Sequence, residues 1–584
     1  MNIKSKNKIR IDKSFKIEAG PGAGKTEFLV NHIKNVLQNS NLLGCTRKVT
    51  CITYTNTAVD TILKRLGQAA SDKVEVSTIH SFLYKNVVKP YCSFIPEEYQ
   101  LCSSKIKGHD DFYISSKYIR EWFENDDLNS LKHPNTKKQI LTLPVLNQAL
   151  QNWLKSMQCT YKNNSVSFEC DNQKALVYDK KTGKLTRINA SNLKILSRKI
   201  LGLKKVYWRK GRLDHNDVLY FSYVLINKFP FILDVLSAKF PYIFIDEYQD
   251  TNPIQSFVLD EIRKKDIVVG VIGDKSQSIY KFQGADPSMF DSFKVDADSS
   301  YTISDNHRST NQIVKLLNDI RGDICQIPCK NIDNIEATIF VGSSNEAYFR
   351  ACGVCSGEKV VSLSRDNIGS NAMKKEIEGN ALDKYLLEQF LSQDSVSQRR
   401  KCILSFIQSV ELAVNRKYKD AIKSIEWIFK DEDNPKKIAL MNLSKLLKEY
   451  NKYTDGTLMM FYDTICRLVN IKLSGFKKGA AKNFYEKTPY KSMAICINII
   501  DDTSNHITIH KAKGAEYENV ILLESKNIME FLLSPDLFNN EEHRIIYVAL
   551  SRAENRLFIQ IANLDDDNEK RIREKYSYLN IQRI

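Results

Sequence analysis

The sequence predicts an α/β protein of two parallel-sheet units, each interrupted by an inserted, mainly helical segment. Three observations predict it. Phe15 and Ile17 alternate into a glycine-rich turn, after which Phe28, Leu29, Ile33, Val36 and Leu37 recur at helical spacing. The same order of strand, turn and helix returns at Val49 to Leu66 and from Tyr242 onward. A second series begins near Ala337, breaks off for more than a hundred residues, and resumes at Ile507.

The first turn reads Ala19-Gly20-Pro21-Gly22-Ala23-Gly24-Lys25-Thr26. Lying between a strand and a helix, it has the context of a phosphate-binding loop. Glycines let backbone N–H groups close around a triphosphate, and the helix N-terminus adds partial positive charge. Lys25 supplies a point charge for the outer phosphates, and the Thr26 hydroxyl is placed to ligate Mg²⁺. A nucleoside triphosphate and Mg²⁺ are therefore the expected ligands.

At 584 residues the chain has room for about four domains or subdomains. Its 42% hydrophobic and 27% charged residues are those of an ordinary globular protein. A formal charge of +17 beside a nucleotide site points to a polyanionic partner, nucleic acid. Met1 to Lys13 is polar, and no stretch reaches the ~18–20 apolar residues that span a bilayer. With 13 scattered cysteines and no framework, the expectation is a reduced, cytoplasmic protein without membrane contact. Cys325 and Cys329, then Cys352 and Cys355, make two pairs of the kind that hold zinc. A strand-like run, Ala337 to Val341, separates them, and nothing in the sequence requires the pairs to meet.

After the loop, Val49 to Thr55 is a β-rich run ending at the capping types Asn56-Thr57, and Val74 to Val76 leads into Thr78-Ile79-His80-Ser81-Phe82. From about Tyr84 to Val206 the α/β rhythm stops. Within that insertion, Asp179-Lys180-Lys181 has the look of a nuclease corner, but Asp-Lys-Lys-Thr-Gly between alternating runs reads better as a hairpin turn. The sheet returns with the unbroken apolar run Tyr242 to Ile245, a strand covered on both faces. It delivers Asp246-Glu247 to the strand's C-terminal edge, where ligands bind in such sheets. One carboxylate suits Mg²⁺, and the other suits a water attacking the γ-phosphate. Ile267 to Ile272 runs into Gly273-Asp274-Lys275-Ser276-Gln277, with Gln277 a neutral γ-phosphate sensor. Arg308, after Asp305-Asn306-His307, offers a planar cation for charge developing on a transferred phosphoryl group. From about Lys374 to Ile495 the chain is helical, lysine-rich and studded with aromatics (Tyr385, Phe390, Phe406, Tyr418, Trp427, Phe429, Tyr450). Such rings either stack on single-stranded bases or form the core of a helical subdomain; for most the core is the better reading. Strands at Val520 to Leu523 and Leu557 to Ile561 and a charged tail complete the chain.

In this order the islands resemble the superfamily-one helicases of the UvrD, Rep and PcrA type. They are the phosphate loop, Thr53 to Asn56, Thr78 to Phe82, Asp246 to Asp250, Gly273 to Ala285, Asn306 to Ser309, His510 to Glu516 and Tyr547 to Ala553. The resemblance implies two RecA-like domains, 1A (1–83 and 207–300) and 2A (301–373 and 496–584). It also implies an inserted subdomain 1B (84–206) and a reduced 2B-like one (374–495). ATP would lie in the cleft. Domain 1A would bring Lys25, Thr26, Asp246, Glu247 and Gln277. Domain 2A would bring Arg308 and Arg552 as arginine fingers, with Glu516 near the ribose. Family members move 3′→5′ on single-stranded DNA, and Tyr54, His80, Tyr280, Phe282 and Arg365 fall where the family touches it.

The chain departs from that pattern in three places. No glutamine precedes the loop to read adenine, Gln283 stands where an arginine is usual, and Thr57 stands where a lysine is usual. The compact size and helical second insertion also resemble the GajB-like helicases of Gabija antiviral systems, which partner an OLD-family (TOPRIM) nuclease. The leading expectation is an ATP-dependent translocase or helicase on single-stranded or partly duplex DNA. The alternative is a nucleotide-gated DNA-end sensor that docks such a nuclease and unwinds little by itself.

Overall fold

A computed structural model describes residues 1–584 except 68–71, 110–113, 115, 127–130, 132–133, 180–183, 334, 375–385, 416, 431, 477–478 and 498–503. Eighteen strands are seen among the described residues. The first three are β1 (Phe15–Ala19), β2 (Val49–Thr53) and β3 (Val74–Thr78). The first insertion then contributes β4 (Gln158–Lys162), β5 (Ser165–Glu169), β6 (Leu176–Asp179) and β7 (Lys184–Arg187). Next come β8 (Tyr242–Ile245), β9 (Val268–Gly273) and β10 (Ser300–Ile303), then a short pair, β11 (Asp305–Asn306) and β12 (Ile327–Pro328). The second unit holds β13 (Thr338–Val341), β14 (Val360–Ser364), β15 (His506–Thr508), β16 (Tyr517–Leu522), β17 (Ala553–Ile561) and β18 (Asn580–Arg583).

Two six-stranded sheets result, in the orders β10-β1-β9-β8-β2-β3 and β15-β14-β16-β17-β13-β18. Every neighbour pairing in both is parallel. The central strands β2, β8 and β9 are buried at every residue, as expected where helices cover both faces. Because the strands run one way, their C-terminal ends share an edge. That edge holds the loop after β1, Tyr54 after β2, Asp246 after β8 and Asp274 after β9.

The first sheet extends past residue 300, where the sequence reading divided the units. Lys16 pairs with Ser300 and Ala19 with Ile303, so residues 301–303 belong with β1. The alternation of Tyr301 and Ile303 fits either sheet, and only the pairing decides. The charged tail is likewise structured. Ile572, Tyr576 and Leu579 are buried, and β18 pairs in parallel with β13.

The first insertion is helical with two antiparallel hairpins, β4-β5 and β6-β7. The arms of the second hairpin pair from Leu176 with Arg187 to Asp179 with Lys184. The turn between them, where the nuclease-like Lys180 and Lys181 fall, lies outside the described residues. The insertion is not an independent globule. Trp122, Trp153 and Trp208 share one apolar cluster with Ile243, Ile245 and Val271 of the first sheet.

The second insertion has its own core, in which Phe390, Phe406 and Phe429 are buried and Tyr450 packs against them. Tyr418 and Trp427 are 56% and 43% exposed, and Tyr385 lies outside the described residues. Among the described residues no single helix is long and apolar enough to cross a membrane.

Candidate functional site

Glycine makes the turn after β1 sterically possible. Gly22 and Gly24 have φ +69° and +80°, in the left-handed region that side chains disfavour. Space forbids a side chain as well. A Cβ on Gly22 would lie 2.7 Å from Asn306 Oδ1, and one on Gly24 would lie 2.8 Å from Ser5 Cβ. Gly24 caps the helix Lys25–Asn39 with no side-chain acceptor, leaving N–H groups at its positive end for an anion. Lys25 Nζ folds over the loop onto the carbonyls of Ala19 (3.2 Å) and Gly20 (3.3 Å). Gly20, Pro21 and Ala23 complete the turn, and Thr26 is half-buried beside Lys25.

The acidic pair comes at the end of β8. Asp246 N–H still bonds Ile52 O (2.9 Å), continuing the ladder, while Glu247 takes φ +54°, a strained backbone for a residue with a side chain. Burial, reinforced by the charge of Glu247, pushes the Asp246 carboxyl up to about 7. Burial opposes charge on Glu247 too. Lys25, Lys513 and Arg552 outweigh it, and a hydrogen bond from Gln249 helps hold that carboxylate below its ordinary range.

Opposite these groups stands the second unit. Arg552 is buried and donates through Nη2 to Gln277 Oε1 (2.9 Å) and Ser551 Oγ (2.8 Å), and through Nε to Val548 O (3.0 Å). Burial and the facing Arg308 lower its guanidinium to about 9. Arg308 donates to Ser551 O (2.7 Å) and pairs with Glu516, and its Cβ would crowd any Cβ on Gly22. Lys25, Asp246, Glu247, Gln277, Arg308, Glu516 and Arg552 are thus brought together across a cleft. Two facing cations and an uncapped helix end make that cleft suited to a polyanion. Thr26 and Asp246 offer oxygen ligands of the kind Mg²⁺ takes.

Several residues that close the cleft carry no signal in the local sequence. Arg321, wholly buried, pairs with Asp274 (3.1 Å) and Asp323 (2.8 Å) and donates to the Tyr547 hydroxyl (3.2 Å). Burial opposes its charge, yet these partners hold the guanidinium well above its ordinary value. Gln277 Nε2 donates to the same Asp274 (2.6 Å). Gln326 and Asn306 both donate to Pro21 O (2.8 and 3.2 Å), and His307 N–H bonds Gly22 O (2.9 Å). Lys513 pairs with buried Asp250 and donates to Gln277 O (2.8 Å). Asp250, Asp274 and Lys513 lie inside recognisable islands; only the fold shows what they hold. Replacing Arg321 with Met leaves a buried carboxylate uncompensated, so a loss of about 3–5 kcal/mol is expected. In thermal unfolding, Arg321→Met should melt well below wild type, and adding Asp274→Asn should restore part of the difference.

Tyr54, His80 and Phe282 line a cavity of about 1300 Å³ between the first sheet's edge and the first insertion, with Lys155, Gln158 and Lys174 on its far side. Tyr280 stacks on Tyr54 (4.6 Å, 20°) and is itself buried. Phe282 is 57% exposed and meets His510 of the second unit edge-on at 5.4 Å. His80 packs edge-on against His215. Gln283 accepts a hydrogen bond from the Tyr54 hydroxyl. Arg365 is not on this wall; it is held bidentately by Glu542 at 2.6 and 2.7 Å.

The region before the loop contains Ser5, buried and bonded to Glu27 (2.9 Å) against Gly24. Among the described residues the four cysteines of the two pairs form no joint cluster, since Cys355 is buried with Phe340 in the second unit.

Residues 1–298 match the UvrD/REP helicase N-terminal domain, and residues 357–563 match the UvrD-like helicase C-terminal domain. The chain is 28% identical over 347 residues to the Gabija protein GajB of Bacillus cereus, covering 54% of this chain and 48% of that one. It is 22% identical over 650 residues to the ATP-dependent DNA helicase Rep of Buchnera aphidicola, covering 94% and 89%. Against the ATP-dependent DNA helicase PcrA of Staphylococcus aureus it is 26% identical over 314 residues, covering 52% and 37%. The matched stretch thus spans about half of GajB and just over a third of PcrA.

Proposed function

The chain belongs to the UvrD/REP helicase family, and on that footing we propose that it is an ATP-driven motor on single-stranded DNA, moving 3′→5′. The observation that carries this reading is Arg552, a far-lobe arginine bonded to Gln277 beside Lys25, Asp246 and Glu247. Lys25 neutralises the outer phosphates, and Thr26 and Asp246 would hold Mg²⁺, which would supply further charge neutralisation there. Glu247 takes the proton of the attacking water. Arg308 and Arg552 meet the charge that grows on the phosphoryl group. Glu516, paired to Arg308, would lie near the ribose.

Coupling to DNA follows from chain continuity. Gln277 lies three residues before Tyr280 and five before Phe282. Lys513 bonds the Gln277 carbonyl while its ammonium lies 4.6 Å over the Tyr280 ring. A change at the phosphate side therefore moves the stacking loop, and cleft opening and closing alternates the grip on the strand. In this reading the chain divides into 1A, 1B, 2A and a reduced 2B, 1A runs to Ile303, and the motor works in the cytoplasm with the DNA.

ATP hydrolysis is expected to rise with single-stranded DNA. Phe282→Ala should raise the DNA concentration needed for half-stimulation, since a base stacked on an aromatic ring contributes about 1–3 kcal/mol. Hydrolysis indifferent to DNA would overturn the motor reading.

A second reading, a nucleotide-gated DNA-end sensor working with an OLD-family nuclease, is supported by the GajB similarity and by the Tyr54–Gln283 bond, which occupies a position the family resemblance gives to a cation. Strand displacement by the isolated chain separates the two. Robust unwinding favours the motor, and DNA-stimulated hydrolysis without displacement favours the sensor.

A further inference from the structure

Beside the phosphate loop, β11 and β12 pair in parallel, Asp305 with Ile327 and Asn306 with Pro328. Residues two apart on an extended strand face the same side, so Asp305 and His307 share one side and Asn306 takes the other. The Asn306 side chain is occupied with Pro21 O and the N–H groups of Arg308 and Ser309. The Cys329 N–H bonds Asn306 O at 2.8 Å, which brings its thiol to the side of Asp305 and His307. One ligand atom from each of Asp305, His307 and Cys329 lies within 4.8 Å of the other two, and His307 Nε2 stands 3.7 Å from Asp305 Oδ2. Among the described residues no other group of histidine, cysteine and acidic side chains converges in this way.

We propose that Asp305, His307 and Cys329 bind a transition-metal cation, zinc by preference. The donors are one carboxylate oxygen, one imidazole nitrogen and one thiolate sulfur. Mg²⁺ and Ca²⁺ demand oxygen ligands, whereas this mixed set suits a borderline-soft ion in a tetrahedral site with one position left open. Access is one-sided: the Asp305 side chain is 12% exposed and that of His307 48%. The site answers the cysteine question differently from either sequence pair, because Cys329 finds its partners across a short sheet and not in Cys325, Cys352 or Cys355. Its position gives it a consequence. His307 N–H holds Gly22 O, and the next residue is Arg308, so an ion here ties the segment carrying both to the strand of Cys329. The metal would act as a clasp on the arm that reaches the phosphate loop.

The test is a titration of the purified full chain with Co²⁺, followed by its thiolate charge-transfer band and visible d–d bands. One equivalent should bind, and Zn²⁺, but not Mg²⁺, should displace it. Cys329→Ser should abolish the charge-transfer band. Asp305→Asn and His307→Ala should each weaken binding by more than the roughly 10- to 100-fold that loss of an outer-shell partner costs. Cys325→Ser, which changes an exposed neighbour outside the group, should leave the band intact. Zn²⁺ should also raise the melting temperature of wild type more than that of Asp305→Asn, a readout that survives if Cys329→Ser folds poorly. Absence of the band in wild type, or a band that persists in Cys329→Ser, overturns the proposal.

Discussion

Replacing Arg552 with Ala is expected to lower DNA-stimulated ATP hydrolysis roughly 10³- to 10⁵-fold, the range that an arginine finger spans. The guanidinium is fully buried and every part of its fork is engaged: Nε by Val548 O, Nη1 by Ala515 O, Nη2 by Gln277 Oε1 and Ser551 Oγ. Burial and the neighbouring Arg308 bring its pKa down to about 9, so it is charged at neutral pH but held against a cost. Negative charge arriving between the two arginines removes that cost. The relief is largest where the phosphoryl group carries most charge, which is the condition for catalysis instead of mere binding. Arg552→Lys keeps the charge but cannot fill four hydrogen-bonding positions with one ammonium, so it should recover little activity. Steady-state turnover at saturating DNA and ATP is the measurement. Either variant retaining a tenth of wild-type turnover would remove Arg552 from the chemistry.

How much of this was legible in the sequence depended on how far apart the interacting residues lie. The phosphate loop, Asp246-Glu247 and Gln277 each follow a strand within a few residues, and a parallel sheet collects strand ends on one edge. Their convergence could therefore be inferred from order alone. Arg321 and Asp274 form the buried pair between the lobes from 47 positions apart, and Gln326 reaches Pro21 across 305. No local pattern marks such partners, because an arginine after a helix is ordinarily a surface residue and nothing nearby in sequence announces the paired, buried exception. Arg365 shows the same limit from the other side: its residue type suits a phosphate, but its charge is already engaged by Glu542, 177 residues on. The strand and docked helix of the charged tail went unassigned in the sequence for a compositional reason. Aspartates and lysines dominate it, while the few residues that dock it, Ile572, Tyr576 and Leu579, recur too sparsely to stand out. In the second insertion, residue type favoured the core for most of the aromatics, as holds for buried Phe406, but could not decide that Trp427 would stay on the surface.

Glu247→Gln should cost about 10²–10⁴ in turnover, the worth of a positioned general base, while leaving nucleotide binding close to wild type. The two adjacent carboxylates differ in what their surroundings do. Asp246 is pushed up to about 7 by burial and by Glu247, so it is the carboxylate whose charge most needs a further cation, such as a divalent ion shared with Thr26. Glu247 is kept ionised by Lys25, Lys513 and Arg552 against the burial that opposes it, and its left-handed backbone turns it out of the line of β8. It is the member of the pair free to receive a proton. Glutamine preserves its size and accepts the Gln249 hydrogen bond through its amide oxygen, so the loop should keep its shape while losing the base. Lys25→Ala removes binding and turnover together. The contrast between the two variants, read as ATP affinity against turnover, therefore isolates the chemical step. If Glu247→Gln bound ATP as poorly as Lys25→Ala, the role of base would have to pass to another group.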